Sequence, residues 1–412
     1  MRHRRYRRDQ DRMGYRTGVG WPWFANVCER GPKGRTRSET MDPLDICFVG
    51  TYPPTHCGLA TFGASLREAM AAPRSGVIRV LEEPEPPRQP EVTVEWFMGD
   101  RASRNEALTA LRAYDVAIVQ HEYGIYGGDD GEEIVGFLRA SPIPTIVVLH
   151  TVLSDPMPHQ RLVLEELMEA ADLLVTTTDA ARRRLIDVHG IEQDRVAVVP
   201  HGAPPNIDGE RAIQRLEPVV LTWGLIGPSK GLEFGIEAMR HLDDLHPAPV
   251  YVIAGQTHPK VRMRQGESYR DGLRKQAADG GVIDRIVFED EYLDKASLRS
   301  LIRSADVVLL PYGSREQISS GVLVEAVAAG KPVVATAFPH AIEQLSSACG
   351  IVVPHEDPEA IARALRRLLT DAALAGSMRD QAERESERLA WPAVGREYLR
   401  LAHRVLADAE AA

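Results

Sequence analysis

Short runs of β-branched and other apolar residues, each followed by a polar segment with helical spacing, recur along the chain from Asp45 onward. Such runs are typical of parallel strands buried on both faces, and their alternation with helical segments predicts βαβ units. The predicted strands are Ile46–Val49, Val92–Phe97, Val116–Val119, Thr145–Leu149, Leu173–Thr176, Val196–Val199, Val219–Trp223, Val250–Ala254, Ile286–Phe288, Val307–Leu310, Pro332–Thr336 and Gly350–Val353. The pattern therefore predicts an α/β fold with open, doubly wound sheets.

The pattern breaks at residues 201–218, which are rich in Pro and Gly and lack periodicity. A chain of 412 residues exceeds one ordinary hydrophobic core, so two domains are expected. We predict an N-terminal domain over residues 41–205 and a C-terminal domain over residues 206–388. Apolar residues at helical spacing predict a last helix over residues 389–412.

Residues 1–40 contain ten Arg and one Lys against four acidic residues, whereas the whole chain has a net charge of −10. The remainder is therefore strongly acidic, which argues against binding of nucleic acid. The basic segment lacks the apolar stretch of a secretory signal. We interpret it as a disordered leader ahead of a start at Met41, and the alternative is an RNA- or membrane-binding arm.

The four Cys residues are scattered and lack the spacing of a metal-binding motif. A disulfide framework and a zinc ribbon are both disfavoured, and a reducing, cytoplasmic location is expected. No run of about 18 uncharged apolar residues occurs, so no membrane-spanning helix is predicted. No Gly-x-Gly-x-x-Gly motif follows the first strand of either half, which argues against a dinucleotide-dependent dehydrogenase.

The segment Pro311–Thr336 holds the most informative motif. Over fourteen of its residues Glu325 is the only charge, and Ser320 and Gly321 suit the start of a helix. A carboxylate in such apolar surroundings needs a partner, because burying it unpaired is unfavourable. Two interpretations stay open from the residues alone. Glu325 forms a buried ion pair with a distant Lys or Arg, or it accepts two ribose hydroxyls while the helix N-terminus faces phosphate.

A second motif is Thr222–Glu233, TWGLIGPSKGLE, in which a Gly-rich turn with Lys230 follows a predicted strand. Turn amides and one ammonium group can hold a diphosphate, although the Walker spacing of a P-loop is absent. The alternative is a surface turn with a solvated Lys.

Three more candidates lie directly after predicted strands, at the carboxyl ends where ligands of open α/β sheets bind. Gly58 lies in a Thr- and Gly-rich helix start that suits the approach of phosphate or sugar. Glu122 could position an acceptor or act as a base, or it could pair with an Arg. His150 ends a predicted strand, and a lone His is otherwise usually a structural residue.

Together these motifs resemble those of the group 1 family of retaining glycosyltransferases, which have the GT-B fold. In that family a Glu-x7-Glu motif runs into Ala-x-Ala-x-Gly-x-Pro-Val, and Glu325–Val333 is similar to the second Glu with the residues after it. The resemblance implies that Glu325 holds the nucleotide ribose. Gln317 stands where the family has its first Glu, directly after Glu316, and would hydrogen-bond hydroxyls of the donor hexose without a negative charge.

The family's Gly-Arg-x4-Lys-Gly pattern is matched only in part. The resemblance places Lys230 on the donor phosphates, but Leu225 occupies the position of the Arg. Lys260, Arg262 or Arg264 could supply the missing cation. In the same way, the resemblance assigns Gly58 to the family's N-terminal glycine loop and His150 to its strand-terminal His near the donor sugar.

The resemblance extends from Asp45 to about Ala407. It implies two Rossmann-like domains that face a central cleft, with the last helix crossing back to the N-terminal domain. It also implies a metal-independent transferase without a cofactor, which moves a hexose from a nucleoside diphosphate sugar to a glycan, lipid-linked or small-molecule acceptor. A lipid-linked acceptor would bring peripheral contact with a membrane.

These assignments define the expected site. The catalytic residues would be His150, Lys230 and Glu122, and the donor-binding residues would be Gly58, Lys230, Gln317, Ser320, Gly321 and Glu325. Two alternatives remain open. The first is a non-catalytic sugar-nucleotide-binding protein of the same fold, which the uncharged Leu225 and Gln317 favour. The second is an epimerase or phosphorylase of the GT-B fold.

Overall fold

The computed structural model describes residues 43–86, 88–205, 209 and 215–411. The predicted basic leader over residues 1–40 and part of the predicted linker over residues 201–218 lie outside this part of the chain. Below, residues 43–205 are called the N-terminal half and residues 215–389 the C-terminal half.

The N-terminal half contains a parallel sheet of seven strands. They are β1 (Asp45–Gly50), β2 (Arg74–Leu81), β3 (Val92–Phe97), β4 (Val116–His121), β5 (Thr145–Leu149), β6 (Leu173–Thr176) and β7 (Val196–Val198). Their spatial order is β3-β2-β1-β4-β5-β6-β7. The chain therefore starts in the middle of the sheet, winds outward to one edge, and returns to wind outward to the other.

The C-terminal half repeats this topology with six parallel strands. They are β8 (Val219–Trp223), β9 (Val250–Ala254), β10 (Ile286–Glu289), β11 (Val307–Leu310), β12 (Val333–Thr336) and β13 (Gly350–Val353). Their order is β10-β9-β8-β11-β12-β13. The winding direction reverses between β1 and β4 in one sheet and between β8 and β11 in the other. Ligands of such folds bind at these switch points, beyond the carboxyl ends of the strands.

Helices cover both faces of each sheet, so each sheet has an apolar layer on either side. They are α1 (Gly58–Met70), α2 (Arg101–Leu111), α3 (Glu133–Arg139), α4 (Pro158–Ala170), α5 (Asp179–His189), α6 (Leu232–Met239), α7 (Pro259–Gln265), α8 (Ser268–Asp279), α9 (Lys295–Ser304), α10 (Gly321–Ala328), α11 (Pro339–Leu345), α12 (Pro358–Thr370), α13 (Ala372–Leu389) and α14 (Trp391–Ala411). None of them, within the described ranges, combines the length and apolar character that crossing a membrane requires.

The predicted α/β class with doubly wound parallel sheets is confirmed, and each predicted strand is present. The sequence analysis missed β2. Its apolar residues are interrupted by Arg79, whose side chain is fully buried in the sheet. Glu85 and Glu95 pair with that guanidinium. Because these partners come from a loop and a neighbouring strand, the local sequence does not signal that a charged residue is tolerated there.

The chain passes between the halves twice, and the two passages are joined. The amide of Ala203 donates to the carbonyl of Leu389 at 2.8 Å, and the amide of Trp391 donates to the carbonyl of Ala203 at 3.2 Å. Beyond this junction α14 packs along α1 and buries Tyr398 and Leu401 against the N-terminal sheet. The last helix thus returns to the N-terminal half, whereas the domain boundaries drawn from the sequence stay predictions.

Candidate functional site

Lys230 lies at the switch point of the C-terminal sheet. The turn that carries it is pressed against the segment after β11, where a Cβ on Gly231 would lie 2.1 Å from the carbonyl oxygen of Pro311. Gly231 also has a φ of 59°, which favours glycine. The ammonium of Lys230 lies 4.0 Å from the ring centroid of Tyr312, in cation–π geometry. The turn thus holds this cation in a defined place beyond the ends of β8 and β11.

Lys260 brings a second cation to the same region. Burial lowers the pKa of His258, and the positive charges of Lys260 and Lys230 lower it further, so both ammonium groups lie near this imidazole. The Nζ of Lys260 is 3.0 Å from the point that a Cβ on Gly124 would occupy. Lys260, which lies in the first turn of α7 in the C-terminal half, therefore reaches across to the N-terminal half. Of the three cations considered as substitutes at Leu225, it is the one placed between the halves by these contacts.

Glu325 lies one turn into α10, as predicted. Its Oε2 accepts a hydrogen bond from Nε1 of Trp223, the last residue of β8, at 3.1 Å. Burial raises the pKa of Glu325, while this bond and the charge of Arg299 lower it. Of the two carboxylate oxygens, only Oε2 has a hydrogen-bond donor within the described part of the chain. The carboxylate therefore keeps one oxygen for a further donor.

Ser320 and Gly321 start α10, as the sequence predicts. The Ser320 hydroxyl caps the helix by accepting from the Leu323 amide at 3.3 Å. Its own amide donates to Nδ1 of His340 at 2.8 Å, so that amide is not available to a phosphate. The assignment of Ser320 to the donor site stays a prediction. Gly321 faces the imidazole of His201, which a Cβ would approach to 3.0 Å.

Gln317 precedes this helix start, and its side-chain amide donates to the carbonyl of Ser319. Its neighbour Glu316 is bound by Ser154 and Arg184 of the N-terminal half. Glu316 is therefore engaged between the halves.

His150 and Glu122 lie just beyond adjacent strands of the N-terminal sheet. Nε2 of His150 lies 2.6 Å from Oε1 of Gln120, and the rings of His150 and Phe62 pack edge-to-face at a centroid distance of 4.9 Å. Burial lowers the pKa of His150 to about 3, so the imidazole is neutral at physiological pH. Glu122 accepts a hydrogen bond from the hydroxyl of Thr151, and burial raises its pKa despite that bond.

Gly58 is the first residue of α1, capped by the Cys57 thiol. A Cβ at this position would meet no atom within 4 Å, so the backbone here is open to a ligand. The structure thus places Gly58, Glu122 and His150 at the carboxyl edge of one sheet, and Lys230, Glu325 and the segment of Gln317 at that of the other. Within the described residues, no group of three or more His, Cys, Asp or Glu side chains is arranged to hold a metal ion.

Sequence reasoning missed His340, which supports the start of α10 through the Ser320 amide. It lies in α11, shortly after β12, and the only sequence signal is its position beyond a strand end. Trp223 was treated as a strand residue, and its indole donor to Glu325 became visible only in the fold.

The buried histidines predict an acid-sensitive fold. Burial lowers the pKa of His121 to about 4 and that of His340 to about 3. Below about pH 6.5 the unfolded chain binds protons that the folded chain does not, so stability is full above that pH. The free energy of unfolding should fall by up to about 1.4 kcal/mol per pH unit for each of these two histidines as the pH drops towards 4. Urea unfolding between pH 7 and pH 4.5 measures this slope.

Two variants test whether His121 contributes to the dependence of the unfolding free energy on pH. Both ring nitrogens of His121 are buried and lack a hydrogen-bond partner in the described structure, so His121→Phe should make the slope shallower. His241 is exposed, and His241→Gln should leave the slope unchanged. Equal slopes in all three proteins would show that His121 is not held neutral by the fold.

Comparisons with known proteins agree on one family and one fold. Residues 205–385 match the family described as Glycosyl transferases group 1, and residues 66–206 match Glycosyltransferase Family 4. The chain is 30% identical over 340 residues to a D-inositol 3-phosphate glycosyltransferase of Kineococcus radiotolerans, with 74% of each chain covered.

Two solved structures share the fold at low identity. One is the Anabaena protein HepE in complex with UDP, with a TM-score of 0.71, 15% identity, and 87% of this chain and 100% of that chain covered. The other is sucrose-phosphate synthase from Thermosynechococcus elongatus, with a TM-score of 0.71, 18% identity, and 88% and 99% covered. These likenesses confirm the expected two-domain GT-B arrangement of the sheets.

Proposed function

This chain belongs to the group 1 glycosyltransferase family, and from that premise we propose that it is a retaining, metal-independent hexosyltransferase that uses a nucleoside diphosphate sugar. One observation carries the proposal. Lys230 and Glu325 are distant in sequence. The ammonium of Lys230 lies over the ring of Tyr312, after β11, and the carboxylate of Glu325 accepts a hydrogen bond from Trp223 at the end of β8. These positions support a site in which Lys230 holds the diphosphate and Glu325 holds the ribose at one switch point.

The ammonium groups of Lys230 and Lys260 would stabilise the leaving diphosphate. As the bond from the anomeric carbon to the phosphate oxygen breaks, negative charge grows on that oxygen, and fixed cations in a cleft lower the energy of this state. Two ammonium groups can supply the charge that a divalent metal supplies elsewhere, which supports metal independence. Lys260 would thereby compensate for Leu225.

The N-terminal half would present the acceptor. With the leaving phosphate oxygen taking the proton of the acceptor hydroxyl on the same face of the sugar, the reaction needs no protein nucleophile. The neutral imidazole of His150 would hydrogen-bond the donor hexose, and Glu122 would orient the acceptor hydroxyl beside Thr151. Closure of the halves would exclude water, which otherwise hydrolyses the donor.

The donor's base and sugar are open to direct test. UDP-, GDP-, ADP- and dTDP-hexoses are each added to the purified protein, and thermal stabilisation and release of the nucleoside diphosphate are measured with a mixture of glycan, lipid-linked and polyol acceptors. HepE is described in complex with UDP-glucose, so UDP-hexoses are tested first. NMR of the product's anomeric proton distinguishes retention from inversion.

We expect one nucleoside diphosphate sugar to stabilise the protein and to be consumed in an acceptor-dependent reaction that retains configuration. EDTA should leave the rate unchanged. Stabilisation by a nucleotide without consumption of any donor would favour the non-catalytic alternative. An inverted product, or loss of turnover in EDTA, would contradict the proposed mechanism.

A further inference from the structure

The segment 316–320 belongs to the C-terminal half in sequence, but hydrogen bonds from the N-terminal half hold it. The carboxylate of Glu316 accepts from the Ser154 hydroxyl at 2.8 Å and from the Ser154 amide at 2.9 Å. It also accepts from Nη1 of Arg184, a residue of α5, at 2.8 Å. Arg184 is itself fixed, because the same nitrogen donates to the carbonyl of Val152.

A second anchor lies two residues further on. The hydroxyl of Thr178, at the start of α5, donates to the carbonyl of Ile318 at 3.0 Å. The side chain of Ile318 is 2% exposed and packs into the apolar core of the N-terminal half. Gln317 lies between these two anchors, and its carbonyl accepts from the amide of His340 in the C-terminal half.

The helix α5, which carries Arg184 and is capped by Thr178, is also tied to the C-terminal half. The carboxylate of Glu343 in α11 accepts from the amides of Asp179 and Ala180 at 2.9 and 2.7 Å, at the positive end of α5. α5 therefore connects the two halves beside Gln317, through Glu343 at its first residues and through Arg184 one to two turns later.

We propose that Arg184 is a positioning residue for the donor sugar. Its ion pair with Glu316 fixes the segment 316–320 against the N-terminal half and so sets Gln317 towards the hexose. This inference rests on the proposed role of Gln317 in the donor site. The proposed ribose ligand Glu325 and the proposed diphosphate ligands Lys230 and Lys260 lie outside the segment 316–320, so nucleotide binding should depend little on the pair, whereas turnover should depend on it.

Arg184→Ala and Glu316→Ala separate these two effects. In each variant we expect kcat to fall about 10²-fold, the loss typical of a misplaced reacting group. The affinity for the free nucleoside diphosphate should stay within a factor of about two. The double variant should be no slower than the slower single variant, because both remove one interaction. Glu316→Gln keeps one acceptor oxygen for Ser154 and should show an intermediate rate.

Arg183→Ala is the matched control. Arg183 precedes Arg184 on the same helix, but its exposed side chain pairs with Asp179 within α5. This variant should retain wild-type kcat. Independent losses from Arg184→Ala and Glu316→Ala that multiply in the double variant, or an equal loss of nucleotide affinity, would overturn the proposal.

Hydrogen exchange tests whether the ion pair of Arg184 with Glu316 holds the segment 316–320, and it requires no sugar. The amides of the segment 316–320 should exchange about tenfold faster in Arg184→Ala and Glu316→Ala than in the wild-type or Arg183→Ala protein, while those of β12 stay protected. Unchanged exchange in the segment would show that the ion pair does not hold it. If the wild-type protein consumes no donor, this result still decides whether the pair holds the segment, and only the proposed function fails.

Discussion

Replacing Lys230 by Ala should lower kcat about 10²- to 10³-fold, the loss seen when one preorganised charge-stabilising group is removed from a transition state. The ammonium is held over Tyr312 at the switch point, and its charge is needed most when the diphosphate departs. Stability should change little, because the described structure gives Lys230 no ion pair, only the cation–π contact. Steady-state kinetics and thermal melting measure the two effects.

Lys260→Ala and Lys275→Ala set the scale for this loss. Lys260 is exposed and lies beside Gly124 on a flexible side chain, so its removal should lower kcat less, about tenfold. Lys275 is exposed on α8 and pairs with Asp279, and its removal should leave kcat unchanged. A Lys230→Ala variant as active as the Lys275→Ala control would place the diphosphate elsewhere, whatever its stability.

Much of the fold was predictable because it depends on local signals. Apolar runs identified the strands, and the capping Ser320 placed the start of α10 correctly. β2 was missed because Arg79 is neutralised by Glu85 and Glu95, which only the folded sheet brings near. The prediction failed because the ion pairs that neutralise Arg79 join segments that are separate in the sequence.

The candidate site was predictable in outline, and its hydrogen bonding was not. Motif order and position after strands made Lys230 and Glu325 candidates, but nothing local reveals that the Ser320 amide binds His340. The sequence left three cations open as substitutes at Leu225, and the fold shows that Lys260 lies beside Gly124 of the other half. The partners of Glu316 in the other half became visible only in the fold.

Glu325→Gln should weaken nucleotide binding while leaving the unliganded protein equally or more stable. Burial raises the pKa of Glu325, so its negative charge destabilises the fold at neutral pH, and an uncharged amide removes that effect. The amide oxygen can still accept from Nε1 of Trp223. The variant loses the charge that strengthens hydrogen bonds from ribose hydroxyls, each about 1.5–3 kcal/mol.

The expected loss in affinity for the nucleoside diphosphate is therefore about 10- to 100-fold, measured by titration calorimetry beside thermal melting. Glu325→Ala is a less clean variant, because it also leaves the Trp223 indole without its acceptor, which is unfavourable by about 1–3 kcal/mol. Measuring both the stability and the nucleotide affinity of Glu325→Gln separates the two interpretations of Glu325 that the sequence left open. A carboxylate kept for a structural ion pair with Arg299 would give a less stable Glu325→Gln protein that binds nucleotide as the wild type does, whereas a ribose ligand gives a protein of undiminished stability that binds it poorly.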